Sequence, residues 1–179
     1  SISSGTLKIT NFLNSEDCIA TISAMKLLGA DISFNKDEII INGVGLDGLK
    51  EPKAAIDAGN SGTLIRLLSG VLVSQKFSST LTGDDSLRTR PMARIIEPLV
   101  SCGAKIKSTN QKAPIIINKS DGLSPIRYNQ SIASAQVKSC LILAALFIDG
   151  ESTFYEITPT RDHTENLLEH FNYNIDRSK

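Results

Sequence analysis

The sequence repeats itself, and this repetition restricts the possible folds more than any other feature. Leu27-Leu28-Gly29-Ala30-Asp31-Ile32 returns as Ser101-Cys102-Gly103-Ala104-Lys105-Ile106, and in degenerate form as His170-Phe171-Asn172-Tyr173-Asn174-Ile175. Gly29 and Gly103 stand 74 residues apart, and Gly103 and Asn172 stand 69 apart. Gly or Asn at the shared position suits the left-handed residue that ends a helix. A period of this length marks a chain assembled from similar units, each able to bury its apolar face only against its neighbours.

The segments around the repeats agree. Each copy closes an amphipathic stretch: Ser15 to Leu28 (Cys18, Ile19, Ile22, Met25 and Leu28 on one side), Pro91 to Cys102 (Met92, Ile95, Ile96, Leu99, Val100), and Thr164 to Phe171 (Leu167, Leu168, Phe171). These follow the i, i+3, i+4, i+7 spacing of a helix face. Pro91 suits a first helical position and Pro98 is expected to kink its helix. Asp162 with Glu165 reads as a capping box. Short apolar runs, Glu38 to Ile41 and Pro114 to Ile117, read as strands behind polar turns, and Leu7 to Ile9, Phe77 to Leu81 and Thr153 to Tyr155 read as strands ahead of the helices. Two further helices, Ser61 to Val73 and Ser134 to Ile148, open the second and third units. The pattern is βαβαββ, in an α/β chain of three quasi-repeated units at about residues 1–50, 51–120 and 121–179. The first unit lacks its opening helix and the last stops early, so truncation at the N-terminus is expected. No linker interrupts the 179 residues, which reads as a single domain.

Charge and cysteine content exclude some classes. Lys plus Arg and Asp plus Glu are 19 each, whereas non-specific nucleic-acid binding needs a basic surface. Cys18, Cys102 and Cys140 each lie in an apolar helical pattern and read as reduced, buried thiols. The longest apolar run, Leu141 to Ile148, is too short to cross a membrane, and no signal segment opens the chain. A cytoplasmic location is expected.

Three places can hold chemistry. The helix starts at Asp57-Ala58-Gly59-Asn60-Ser61-Gly62-Thr63, with Arg66 one turn in, and at Ser131-Ile132-Ala133-Ser134-Ala135-Gln136, with Lys138 close behind, are small and polar. Free N–H groups and the helix dipole favour an anion there, with Gly62 admitting close approach and Thr63 and Ser134 adding hydroxyls. The plainer reading is capping by Asn60, Ser61 and Ser134. In Gly83-Asp84-Asp85-Ser86-Leu87-Arg88-Thr89-Arg90-Pro91, two arginines stand before a helix, against its dipole, and either await an anion or are solvated beside Asp84 and Asp85. Arg161, in Thr158-Pro159-Thr160-Arg161-Asp162-His163-Thr164, opens a third helix. No metal spacing, nucleophile elbow, P-loop or dinucleotide fingerprint occurs.

Gly59-Asn60-Ser61-Gly62-Thr63-x-x-Arg66 resembles the Gly-Asn-Ala-Gly-Thr-x-x-Arg signature of the 5-enolpyruvylshikimate-3-phosphate (EPSP) synthase family. Leu87-Arg88-Thr89-Arg90-Pro91-Met92 with Ile96-Glu97-Pro98-Leu99, Ser134-Ala135-Gln136-Val137-Lys138-Ser139, and Thr158 to Glu165 resemble its further signatures, in order. The resemblance implies one of two similar domains, with helices inside and sheets outside. It implies transfer of enolpyruvyl from phosphoenolpyruvate to the 5-hydroxyl of shikimate 3-phosphate, with release of phosphate, and no cofactor or metal. Matched by position, Asn60, Gly62 and Arg90 contact phosphoenolpyruvate, with Thr63 and Arg66 shaping that site. Ser134, Ala135, Gln136 and Arg161 grip shikimate 3-phosphate.

The family's Lys-Ser-x-Ser-His-Arg helix start is absent, and the groups that move protons belong to the second domain of the polypeptide. The resemblance thus implies no catalytic residue here, a chain inactive alone, a monomer, and neither nucleic-acid nor membrane partners. Gly62 implies glyphosate sensitivity in an intact enzyme. The alternatives are UDP-N-acetylglucosamine enolpyruvyl transferase, whose reactive Cys is replaced here by Asp84 and Asp85, and a non-catalytic repeat domain.

Overall fold

The computed structural model describes residues 1–35 and 38–177. The first sheet is antiparallel and ordered β1-β3-β2, from β1 (Thr6–Thr10), β2 (Asp31–Asn35) and β3 (Glu38–Asn42), with helix α1 (Glu16–Leu27) between β1 and β2. The second runs β4-β5-β7-β6, from β4 (Ile56–Asp57), β5 (Ser79–Thr82), β6 (Lys105–Thr109) and β7 (Lys112–Asn118); β4 and β5 are parallel and the other pairs antiparallel. Between these strands lie α2 (Gly62–Leu72), α3 (Asp85–Thr89) and α4 (Ala93–Ser101). Strands β8 (Arg127–Gln130) and β9 (Thr153–Glu156) form a parallel pair with α5 (Ala135–Ala145) between them, and α6 (His163–His170) follows. Order β1-β3-β2 reproduces β5-β7-β6, and β8-β9 reproduces β4-β5. The polar turn expected before Glu38 includes residues 36 and 37, which lie outside the described residues.

The repeat has one physical cause at all three sites. Gly29, Gly103 and Asn172 have φ of 85°, 108° and 60°. Their N–H groups donate to the carbonyls of Lys26, Val100 and Glu169 at 2.9, 3.0 and 2.9 Å. The next residues, Ala30, Ala104 and Tyr173, donate to Met25, Leu99 and Leu168 at 2.9, 3.0 and 2.9 Å. Each is a Schellman closure, which satisfies the last carbonyls of the helix and turns the chain. Glycine adopts the left-handed conformation without strain, and asparagine is the best substitute.

Burial comes from the two added helices. α2 buries Leu64, Ile65, Leu68, Val71 and Leu72, and α5 buries Val137, Cys140, Leu141 and Ala144; these helices pack on one another. At their crossing Gly70 lies so near α5 that an added Cβ would fall 2.0 Å from the Cys140 carbonyl oxygen. From outside, Leu81 of β5 and Ile115 and Ile117 of β7 close the same core, while Ile116 points to solvent. The period of two thus splits a uniform run of isoleucines into inner and outer faces. A smaller cluster of Ile22, Ala30, Ile32 and Ile39 lies under the first sheet.

Several local expectations are corrected. Pro91 precedes the N-cap Met92 instead of opening α4, which runs on through Pro98. The capping box does not form: Asp162 caps α6 without a side-chain bond, since its carboxylate meets Arg177 and Glu165 meets Lys138. The apolar stripe of α6 stays largely uncovered, with Leu167 and Phe171 exposed. Cys102 and Cys140 are buried but Cys18 is only half-buried. Burial pushes the Cys140 thiol up to about 12, so it is inert as a nucleophile. No described helix is long and apolar enough to cross a membrane.

Candidate anion-binding site

Both parallel strand pairs end at the same kind of place. Asp57 of β4 pairs with Thr82 of β5, and the Ala58 N–H donates to the Thr82 carbonyl at 2.9 Å. From these ends one segment enters α2 and the other carries Arg90. The two are joined where the Asp84 N–H donates to the Gly59 carbonyl at 2.9 Å. In the same way Gln130 of β8 pairs with Glu156 of β9; one segment enters α5 and the other carries Arg161. Ligands of α/β folds gather outside the carboxyl ends of parallel strands, where helix N-termini also point.

The capping reading holds for the serines and fails for Asn60. Ser61 Oγ accepts from the Leu64 N–H at 3.2 Å and Ser134 Oγ from the Val137 N–H at 3.4 Å. The first two N–H groups of each helix, on Gly62 and Thr63 and on Ala135 and Gln136, precede any intrahelical partner. Asn60 spans a different gap: its amide nitrogen donates to Asp84 Oδ2 at 2.7 Å and its oxygen accepts from the Arg90 guanidinium.

Around Gly62 the guanidiniums converge. A Cβ built on Gly62 would lie 2.8 Å from Arg66 Nη1 and 3.2 Å from Arg90 Nη1. Arg66 donates to the Gly62 carbonyl at 3.2 Å, to Gln136 Oε1 at 2.8 Å and to the Pro91 carbonyl at 3.5 Å. Gln136 in turn donates to Thr63 Oγ1 at 2.8 Å, which ties the starts of α2 and α5 together and leaves the threonine proton free to donate. Burial, followed by the nearby charges of Arg90 and Arg94, pulls the Arg66 pKa down. Among the described residues, none of Arg66, Arg90 and Arg94 forms an ion pair with a carboxylate within 4.0 Å.

Two charges are placed differently from expectation. Arg88 lies in the last turn of α3, where a cation suits the dipole, and its Nε donates to Thr82 Oγ1 at 3.3 Å; of the pair only Arg90 stands beside Gly62. Lys138 is almost fully buried and bonded to Glu156 at 2.9 Å and Glu165 at 2.6 Å, so it does not serve the α5 start directly. Glu156 also accepts from the N–H and hydroxyl of Thr160. This anchors to α5 the loop that bears Arg161. Arg161 itself is exposed and makes no hydrogen bond to Asn60, Arg90 or Gln136 among the described residues. The sequence reading missed Arg94 and Glu156, and placed Asp84 beside the arginines without its bond to Asn60. Arg94 carried a signal, standing in the first turn of the helix that follows Arg90.

Burial raises the Glu156 pKa, but the hydrogen bonds from Thr160 and Lys138 outweigh it, and the net direction is downward. A carboxylate with a lowered folded pKa contributes stability above its unfolded value, about 4.3, and loses it as pH falls through the folded value. The thermal midpoint should therefore drop below about pH 4.3, and Glu156→Gln should flatten that drop; an unchanged acid limb in the variant would contradict the assignment.

Strand ends, helix starts and guanidiniums without carboxylate partners among the described residues thus meet in a repeat-built α/β fold, an arrangement suited to an anion. Among the described residues no group of three or more His, Cys, Asp or Glu is arranged to hold a metal. The family model for EPSP synthase (3-phosphoshikimate 1-carboxyvinyltransferase) matches residues 1–179. The 3-phosphoshikimate 1-carboxyvinyltransferase of Ruthia magnifica subsp. Calyptogena magnifica is 50% identical over 179 residues, and that of Coxiella burnetii (strain CbuG_Q212) is 48% identical over 180 residues. These alignments cover 100% and 99% of the chain. A solved EPSP synthase from Acinetobacter baumannii superimposes with a TM-score of 0.96 at 46% identity, over 99% of the chain. The chain belongs to the EPSP synthase family. It spans 41% of the length of each of these relatives.

Proposed function

We propose that the chain is the substrate-binding part of a 3-phosphoshikimate 1-carboxyvinyltransferase. In this reading Asn60, Gly62 and Arg90 hold phosphoenolpyruvate, with Thr63 and Arg66 shaping the site, and Ser134, Ala135, Gln136 and Arg161 hold shikimate 3-phosphate. The three units act as one domain, and a second domain of the same polypeptide supplies the groups that move protons. The 5-hydroxyl oxygen of shikimate 3-phosphate gives up its proton and adds to C2 of phosphoenolpyruvate while C3 gains a proton; elimination from the tetrahedral intermediate then removes a proton from C3, expels phosphate from C2 and restores the C2–C3 double bond. A cytoplasmic location fits the buried, unpaired thiols of Cys102 and Cys140.

The observation that carries this reading is the set of guanidiniums at Gly62 with no carboxylate partner among the described residues. Both substrates are phosphorylated and phosphoenolpyruvate is also a carboxylate, so they match that charge. Gly62 bears on glyphosate as well, since a methyl there would press on Arg66 and Arg90. The segment from Gly83 to Pro91 has no cysteine, which favours this transfer over the UDP-N-acetylglucosamine reaction.

Titration of the 15N-labelled chain with shikimate 3-phosphate should move resonances of Ser134, Gln136 and Arg161, and phosphoenolpyruvate should move those of Asn60, Gly62 and Arg90. Silence at both sets is the result expected of a non-catalytic scaffold. Arg90→Ala and Arg66→Ala should each weaken phosphoenolpyruvate binding by about 1.5–3 kcal/mol, the worth of a charged hydrogen bond. No turnover is expected from the chain alone, because catalysis needs groups of both domains held in reacting geometry.

A further inference from the structure

Asp84 has no assigned role in substrate binding, and in sequence it looks like a solvated acid beside arginines. Its bonds say more. Oδ1 accepts from the Leu87 N–H at 2.7 Å and caps α3, while Oδ2 accepts from Asn60 Nδ2 at 2.7 Å. The Asn60 oxygen then accepts from Arg90 Nη2, and Ser86 Oγ lies 3.5 Å from the same nitrogen. Backbone bonds hold the acid in place: its N–H donates to the Gly59 carbonyl at 2.9 Å and its carbonyl accepts from the Arg88 N–H at 3.0 Å.

An asparagine amide has two nearly isosteric faces, one donating and one accepting. An ionised carboxylate only accepts, so it turns the NH2 face of Asn60 toward itself and the oxygen toward Arg90. The hydrogen bond from Asn60 is the largest cause holding the Asp84 carboxyl below its ordinary value, with the Leu87 N–H next. Asp84 therefore stays ionised, and acceptor-only, throughout the neutral range.

We infer that Asp84 is a positioning residue: by fixing the Asn60 amide it aims the Arg90 guanidinium at the anion site beside Gly62. The inference rests on the reading that Arg90 meets phosphoenolpyruvate. Without Asp84 the Asn60 amide can turn its NH2 toward Arg90, donor against donor, and the guanidinium swings off.

The test is Asp84→Asn in the full 179-residue chain, with Asp85→Asn as control and Asp84→Ser as a second variant. Asn and Ser both cap helices well, so α3 keeps its start. The readouts are the Asn60 side-chain amide and Arg90 Nε–Hε resonances, and the affinity for phosphoenolpyruvate. Asp84→Asn should move both resonances and weaken binding about tenfold, while Asp85→Asn does neither. A merely structural role would lower the thermal midpoint and leave the Arg90 resonance and the affinity in place. An unmoved Arg90 resonance overturns the inference, as does a moved resonance with unchanged affinity. If the wild-type chain takes no phosphoenolpyruvate, the proposed function fails, and the Arg90 resonance alone still decides whether Asp84 positions that side chain.

Discussion

Lys138→Met is expected to be among the most damaging single changes in the chain, costing about 3–5 kcal/mol. The Lys138 side chain is 5% exposed and its ammonium is bonded to Glu156 and Glu165, whose side chains are 20% and 11% exposed. Burying a charge is costly unless it is paired. Removing the lysine leaves two carboxylates facing one another inside the protein, and one oxygen, Glu165 Oε2, already lacks a partner among the described residues. The triad also fixes geometry, because α5, β9 and α6 meet only through it and the Ser139–Thr164 hydroxyl contact at 2.6 Å among the described side-chain hydrogen bonds. Urea denaturation measures the loss. Adding Glu156→Gln and Glu165→Leu to Lys138→Met should recover much of it, since no unpaired charge then remains. A loss below about 1 kcal/mol for Lys138→Met would mean that water reaches the triad and the burial is wrong.

Gly70→Ala tests the packing of α2 on α5, and here the sign decides. In an ordinary helix interior the change stabilises by about 1 kcal/mol, because alanine is the better helix former. At Gly70 the new methyl would lie 2.0 Å from the Cys140 carbonyl oxygen and 2.8 Å from its carbon, both backbone atoms that cannot rotate away. The helices must separate, and overpacking of this kind costs about 1–3 kcal/mol or more. The same separation pulls on Arg66–Gln136 and Thr63–Gln136, which bridge the same two helices near their starts. Loss of anion affinity should therefore accompany loss of stability. A stabilised or neutral variant would show that the helices do not pack at this distance.

What the sequence disclosed and what it withheld divide along the range of the forces involved. The Schellman closures at Gly29, Gly103 and Asn172 are local, so the repeat and its helix ends could be read directly. The isoleucine strands and the α2 stripe were legible for the same reason. Lys138 was misread because its partners lie 18 and 27 residues away, and nothing near it predicts their approach. The plainer reading of Asn60, as a cap, failed because its neighbours look like helix-start residues while its bonds reach Asp84 and Arg90 across the parallel strand ends. The short helix α3 was hidden by its arginines, which suggested the start of a helix where Arg88 in fact ends one. Family signatures pointed to Asn60, Gly62, Arg90 and Gln136; the bonds of Gln136 to Arg66 and Thr63, and of Asn60 to Arg90, bring these scattered residues near one another.

The most direct measurement is a crystal structure of the chain soaked with phosphoenolpyruvate. Density for one molecule should lie over the amide of Gly62, within hydrogen-bond reach of Arg90 and Asn60, with Arg66 and Gln136 holding the helix starts as they do here. A ligand bound on another face, with the Arg66, Arg90 and Arg94 guanidiniums left to solvent, would contradict the site.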